Sequence, residues 1–221
     1  MPKSKQKVSK AVVKYVNNKL KVNSELKTYD NMGQTFPVTT SWAVLIPEAI
    51  GQGVTVSTRI GEQIKMFEMK FRAYLATSTS GTALINIDNS SRVRFIVFRD
   101  KHGGSAPTGQ GSASTSLMST NVLDAQFNLE TIERYEIVYD RIYNILQSPT
   151  TVGPMPTSDV KGVVSLDIHR KHKRPVLIDY LDTTGTLPSK NRLYLAIIAD
   201  TLATSQVIQL RGGMRIRYRD E

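Results

Sequence analysis

The stretch from residue 64 to residue 75 constrains this chain most, because its alternation can be satisfied only by an extended strand. In Lys65-Met66-Phe67-Glu68-Met69-Lys70-Phe71-Arg72-Ala73-Tyr74-Leu75, the side chains of Phe67, Met69, Phe71, Ala73 and Leu75 fall on one side. Glu68, Lys70 and Arg72 fall on the other. A period of two with one apolar face predicts a strand lying on a core. Seven further segments have a similar β texture: Val38–Ile46, Arg92–Arg99, Tyr135–Ile145, Val163–His169, Val176–Asp179, Arg192–Ala199 and Met214–Arg219. Clusters of Gly, Pro, Ser, Thr and Asn separate them, and no long helical pattern follows the N-terminal region. Eight strands without helical crossovers exclude βαβ units. They predict an all-β, eight-stranded antiparallel single jelly roll built from two four-stranded sheets.

The connections 102–116 and 147–158 read as loops, and the segment 117–132 between strands has room for a short helix. The Gly103-Gly104 and Gly212-Gly213 pairs lack the strand–loop–helix context of a phosphate cradle and read as turn or bulge glycines.

Charge divides the chain in two. Residues 1–27 carry Lys3, Lys5, Lys7, Lys10, Lys14, Lys19, Lys21 and Lys27 against the single acid Glu25, a net of +7. The remaining 194 residues hold 21 basic and 18 acidic side chains, a net of only +3. This predicts a basic arm over 1–30 ahead of a folded domain over 31–221, an arrangement suited to meeting a polyanion. A solubilising tail is the plainer reading. Val8, Val12, Tyr15, Val16 and Leu20 share one face of a 3.6-residue period. The arm can therefore become an amphipathic helix that packs on symmetry mates, touches a membrane or folds on nucleic acid. No apolar stretch interrupts the lysines as a secretory signal would. The longest apolar run, Leu193–Ala199, is far short of the roughly 20 residues needed to span a bilayer, so no membrane insertion is expected.

Catalysis is not expected either. The chain has no cysteine and only His102, His169 and His172, which leaves few nucleophile or metal options; no metal or cofactor is predicted. His169 and His172 fall on opposite faces of a strand, and His102 lies in a glycine-rich loop. The basic run His169-Arg170-Lys171-His172-Lys173-Arg174 ahead of Pro175 reads as a turn. It suits a host polyanion or a nuclear import signal, or is simply solvated.

The order of these pieces resembles the capsid proteins of circular Rep-encoding single-stranded DNA (CRESS-DNA) viruses, especially those with a shell like that of satellite tobacco necrosis virus. The resemblance rests on Arg59-Ile60-Gly61-Glu62-Gln63-Ile64, Arg92–Lys101 (RVRFIVFRDK) and Phe127-Asn128. It continues through Arg134-Tyr135-Glu136-Ile137-Val138-Tyr139-Asp140, Asn191–Ala199 (NRLYLAIIA) and the closing Arg217-Tyr218-Arg219-Asp220. It implies sheets ordered B-I-D-G and C-H-E-F, a sixty-subunit T=1 icosahedral homo-oligomer, a packaged single-stranded DNA genome and residence in the virion. Assembly would take place in the host nucleus or cytoplasm. The arm differs from circovirus-like tails in being short, lysine-rich and free of arginine. A satellite-type single-stranded RNA virus coat protein, or a non-assembling β-sandwich nucleic-acid-binding module, is the alternative.

The implied nucleic-acid contacts are the arm lysines, which neutralise phosphates without reading sequence and would give a salt slope of about −5 for single strands at most. A second set follows from strand parity. With Val93, Phe95 and Val97 inward, Arg92 and Arg94 face out. With Met214, Ile216 and Tyr218 inward, Arg215, Arg217 and Arg219 face out. In the jelly-roll order strands D and I are neighbours, so both arginine rows are expected to share one sheet face. The competing role for these arginines is pairing with acids across subunit contacts.

Overall fold

A computed structural model describes residues 9–12, 15, 26–45, 49–79, 90–103, 108–110, 116–146, 163–180, 188–200 and 206–220. In chain order the strands are β1 (Lys27–Val38), β2 (Ala43–Leu45), β3 (Gln63–Thr79), β4 (Ser90–Asp100), β5 (Thr108–Gln110) and β6 (Ser116–Met118). They continue as β7 (Tyr135–Leu146), β8 (Val164–Tyr180), β9 (Pro188–Lys190), β10 (Arg192–Ala199) and β11 (Gln206–Asp220), with one 3₁₀ turn at Ile132–Arg134. One sheet runs β1-β11-β3-β8-β9 and the other β2-β10-β4-β7, while β5 and β6 form a small parallel pair. Setting aside the short β5, β6 and β9 and lettering the rest B to I gives B-I-D-G and C-H-E-F. This is a jelly roll.

The two sheets bury their inner faces against each other. Met69, Phe71 and Leu75 of β3, Leu210, Met214 and Ile216 of β11, and Leu166 and Ile168 of β8 meet Val93, Phe95 and Val97 of β4 and Leu193, Leu195 and Ile197 of β10. Phe71 stacks on Phe95 with ring centroids 5.4 Å apart. A second cluster covers the outer side of β4 and β10, where Ile96, Phe98, Tyr194 and Ile198 lie beneath Trp42, Leu117, Met118, Leu123 and Ala125. These two strands are thus buried on both faces. That explains why RFIVF and LYLAIIA read as continuous apolar runs rather than alternations. The outer face of the β11 sheet has no such cover among the described residues.

Three strand assignments need correction. The strand β1 falls in Lys27-Thr-Tyr-Asp-Asn-Met-Gly-Gln-Thr-Phe-Pro-Val, where Asp, Asn, Gly and Pro argue against a strand. It forms because it is an edge, which tolerates Pro37, and because a register shift between Asn31 and Gln34 absorbs Gly33 at φ 73°. Lys27 and residues 28–30, grouped with the arm above, belong to this strand. Second, the segments 163–169 and 176–179 are one strand, β8. The expected total of eight principal strands therefore survived one omission and one division. Third, Phe67 does not join the core. It is the extra residue of a bulge in β3, because Met66 and Glu68 pair consecutively with Tyr218 and Arg217 of β11. Ile64 and Met66 point inward on one side of it, Met69 and Phe71 on the other.

The same bulge interrupts β8. Met66 pairs with Val176 and Glu68 with Lys171, so His172, Lys173, Arg174 and Pro175 stand opposite the single residue Phe67. The basic run is thus part of a long strand, and its second half is a four-residue bulge instead of a chain-reversing turn. Pro175, which has no N–H to give a ladder, is accommodated there.

Candidate nucleic-acid interface

Lys3, Lys5, Lys7, Lys14, Lys19 and Lys21 lie outside the described residues. Lys10 is exposed within a helical turn with Ala11 and Val12, whose start is capped by the Val12 N–H donating to Ser9 Oγ at 3.3 Å. Val12 and Tyr15 of the expected apolar face are exposed. Lys27 is not an arm residue at all. Its side chain is buried, its Nζ is 2.7 Å from Asp220 and it donates to the Thr58 carbonyl at 2.9 Å, fastening the start of β1 to the end of β11.

The two arginine rows do not share a face. Arg92 and Arg94 belong to β4, which is strand E of the opposite sheet, whereas the neighbour of β11 is β3. Arg92 is exposed, but its backbone N–H and Nε donate to Asp200 at 2.8 and 3.0 Å, and Asp124 lies 3.5 Å away. Arg94 points to the outer side of its sheet as parity requires, yet it is buried by the segment 116–131. Its Nε and Nη2 grip Asp140 at 2.9 and 2.6 Å, and Nη1 donates to the carbonyls of Leu123 at 3.0 Å and Ala125 at 2.6 Å. The guanidinium lies between the rings of Trp42 and Phe127, 6.0 and 5.6 Å from their centroids. Arg94 is a fastener for the cover.

On β11, Arg215 and Arg217 do face solvent. Arg215 makes a two-pronged pair with Asp30 at 2.6 and 2.8 Å. This hydrogen bond holds the Asp30 carboxyl below its ordinary value despite slight burial. Arg217 reaches Glu68 at 3.3 Å, and His169 Nε2 contacts the other oxygen of Glu68 at 2.5 Å. Burial opposes ionisation of Glu68, but the His169 hydrogen bond and the charges of Arg217, His169 and Lys171 outweigh it and leave the carboxyl below its usual value. Arg219 lies over the Phe67 ring, 5.4 Å from its centroid. The true neighbours of the row are Lys70, which shares a register line with Arg215 and His169, and Arg72, which is 3.3 Å from Asp167.

Exposed cations in no ion pair with a described residue are scattered at Lys10, Lys101, Arg141, Lys190 and Arg211, but they are clustered only on β8, with Arg170 and Lys171 in the ladder and Lys173 and Arg174 in the bulge. His172 is half-buried. Burial, with the charges of Arg99 and Arg170, pushes its imidazole below the ordinary value and favours the neutral form. Pro175 directly after a six-residue basic run was the available sign that the strand is interrupted there. Among the described residues no group of three His, Asp or Glu side chains is placed to hold a metal, and no helix is long and apolar enough to cross a membrane.

The fold and this distribution of charge define a single jelly-roll protein with a basic leader. No protein-family model matches the chain, and no curated protein matches it. Among solved structures, one from Desmodium yellow mottle tymovirus is similar at 10% identity over 89% of each chain, with a TM-score of 0.33.

Proposed function

We propose that this chain is a viral coat protein that self-assembles into a T=1 icosahedral shell and packages single-stranded DNA through its lysine-rich arm. The observation that carries this reading is the pairing of a B-I-D-G/C-H-E-F jelly roll with a leader that holds six of the ten net positive charges in its first 26 residues. A near-neutral sandwich can pack against copies of itself under closed symmetry, while lysine ammonium groups displace counterions from a polynucleotide. The arm's cations are all lysines, and lysine–phosphate contacts do not sense a 2′-hydroxyl, so a single-stranded RNA genome is the second reading.

Sedimentation of the purified full-length chain tests assembly. A closed particle is expected, and only monomers, with and without added polynucleotide, would refute it. Digestion of the particle contents with DNase and with RNase then decides the genome; resistance to DNase overturns the DNA assignment.

A further inference from the structure

We infer that the β8 bulge is the folded domain's own contact for the packaged polynucleotide, continuing the track that begins on the arm; this rests on the function proposed above. The first support is where the body's charge remains available. Residues 27–221 have a surplus of four positive charges, and the bulge and its approach, 170–174, contain four cations and no acid. The rest of the body is therefore neutral. Of the five arginines that parity nominates on β4 and β11, Arg92, Arg94, Arg215 and Arg217 spend their charge on Asp200, Asp140, Asp30 and Glu68, and Arg219 lies over the Phe67 ring. Arg170, Lys173 and Arg174 are exposed and not ion-paired to a described residue, and exposed Lys171 faces Glu68, a carboxylate it shares with Arg217 and His169.

The second support is position. Thr28, Arg217, Glu68 and Lys171 form one register line across β1, β11, β3 and β8. Thr28 marks the point at which the chain leaves the sheet for the arm. Three interstrand steps of about 4.8 Å place Lys171 roughly 14 Å from it, at the same end of the sheet. Arg217 lies between them and shares Glu68 with His169, so that carboxylate does not fully neutralise it. A strand bound by the arm can thus run past Arg217, across the shared Glu68 carboxylate, onto Lys171, Lys173 and Arg174. Binding there would be electrostatic and sequence-independent.

A bulge carrying Lys173, Arg174 and Pro175, on a strand whose outer edge pairs only with β9 at Asp179 and Tyr180, also blunts that edge against pairing with other chains. The experiment separates the two roles. Full-length protein is titrated with oligothymidylate across a range of salt concentrations. K171A/K173A/R174A should lower the slope of log affinity against log salt by about two, at roughly 0.7 per lost contact. K171E/K173E/R174E keeps the edge charged and should bind still more weakly while retaining the parent's circular dichroism spectrum. Parent-like binding by this variant overturns the inference and leaves edge protection as the bulge's role. The arm variant K3Q/K5Q/K7Q is the comparator. If it loses slope while the bulge variants do not, the inference fails and the coat-protein reading stands. If neither loses slope, both fail. A bulge variant that loses affinity for heparin but keeps it for oligothymidylate also overturns the inference.

Discussion

Arg94→Met separates a fastener from a nucleic-acid contact. Methionine keeps an unbranched stem between Trp42 and Phe127 but removes four hydrogen bonds, two to Asp140 and one each to the carbonyls of Leu123 and Ala125. Breaking a buried ion pair by deleting one partner costs roughly 3–5 kcal/mol. The side chain of Arg94 is 11% exposed and that of Asp140 26%, so water recovers part of the loss. We expect about 2–4 kcal/mol, read as a lower urea midpoint at unchanged m-value. For a domain of this size that corresponds to a fall in Tm of roughly 5–15 °C. Proteolysis should meanwhile accelerate within 116–131, the segment whose carbonyls lose their donor. In a double-mutant cycle, R94M and D140A should be non-additive by more than about 0.5 kcal/mol. The salt slope for oligothymidylate should not move. A stability loss below about 0.5 kcal/mol, or a slope reduced by about 0.7 with stability intact, would refute the reasoning and return Arg94 to the nucleic-acid surface.

Freeing the paired arginines should have the opposite effect on binding: D30N/E68Q uncovers Arg215 and Arg217 and is expected to steepen the oligothymidylate salt slope by about one, at up to 0.7 per contact. Gly103 has φ +72°, and a Cβ there would sit 1.7 Å from the Ser189 carbonyl oxygen. G103A should therefore cost more than about 2 kcal/mol in urea unfolding, the left-handed conformation alone accounting for roughly 1–2 kcal/mol. Burial raises the Tyr135 phenol to about 12, and those of Tyr143 and Tyr218 are raised as well. Above pH 10 the unfolded state ionises these groups first and binds fewer protons than the folded one, so stability should fall as pH rises through 10 to 12. Phenolate absorbance should then appear together with loss of the near-ultraviolet dichroism of the folded state.

The strands that could be read from sequence are those whose side chains meet one continuous core. β3 alternates from Met69 to Leu75 because one face meets β4 across the sandwich, and β11 does so from Met214 to Tyr218. The failures have local causes. β1 is an edge strand whose Asp, Asn, Gly and Pro are compatible with pairing only because β11 supplies a long partner and Gly33 a bulge. β8 looked like two strands because the ladder is interrupted at 172–175, while the chain continues in the same direction on either side. Phe67 broke parity because one extra residue in β3 reverses the faces of everything before it.

Parity also tells which way a side chain points without telling whether its charge is available. Arg215 and Arg217 point outward as their alternation requires, but their acids are 185 and 149 residues away along the chain. The Arg92 partner Asp200 lies 108 residues off. Neutralisation of these cations is a property of strand order and register, which place Asp30 beside Arg215 and Glu68 between Arg217 and Lys171. Lys173 and Arg174 escape this because they leave the ladder, and four side chains facing one cannot each have a cross-strand acid opposite, whereas Lys171 still faces Glu68. A cation cluster displaced from pairing in this way keeps its field for a ligand, so the interruption that obscured β8 in the sequence is also what leaves its charge unspent.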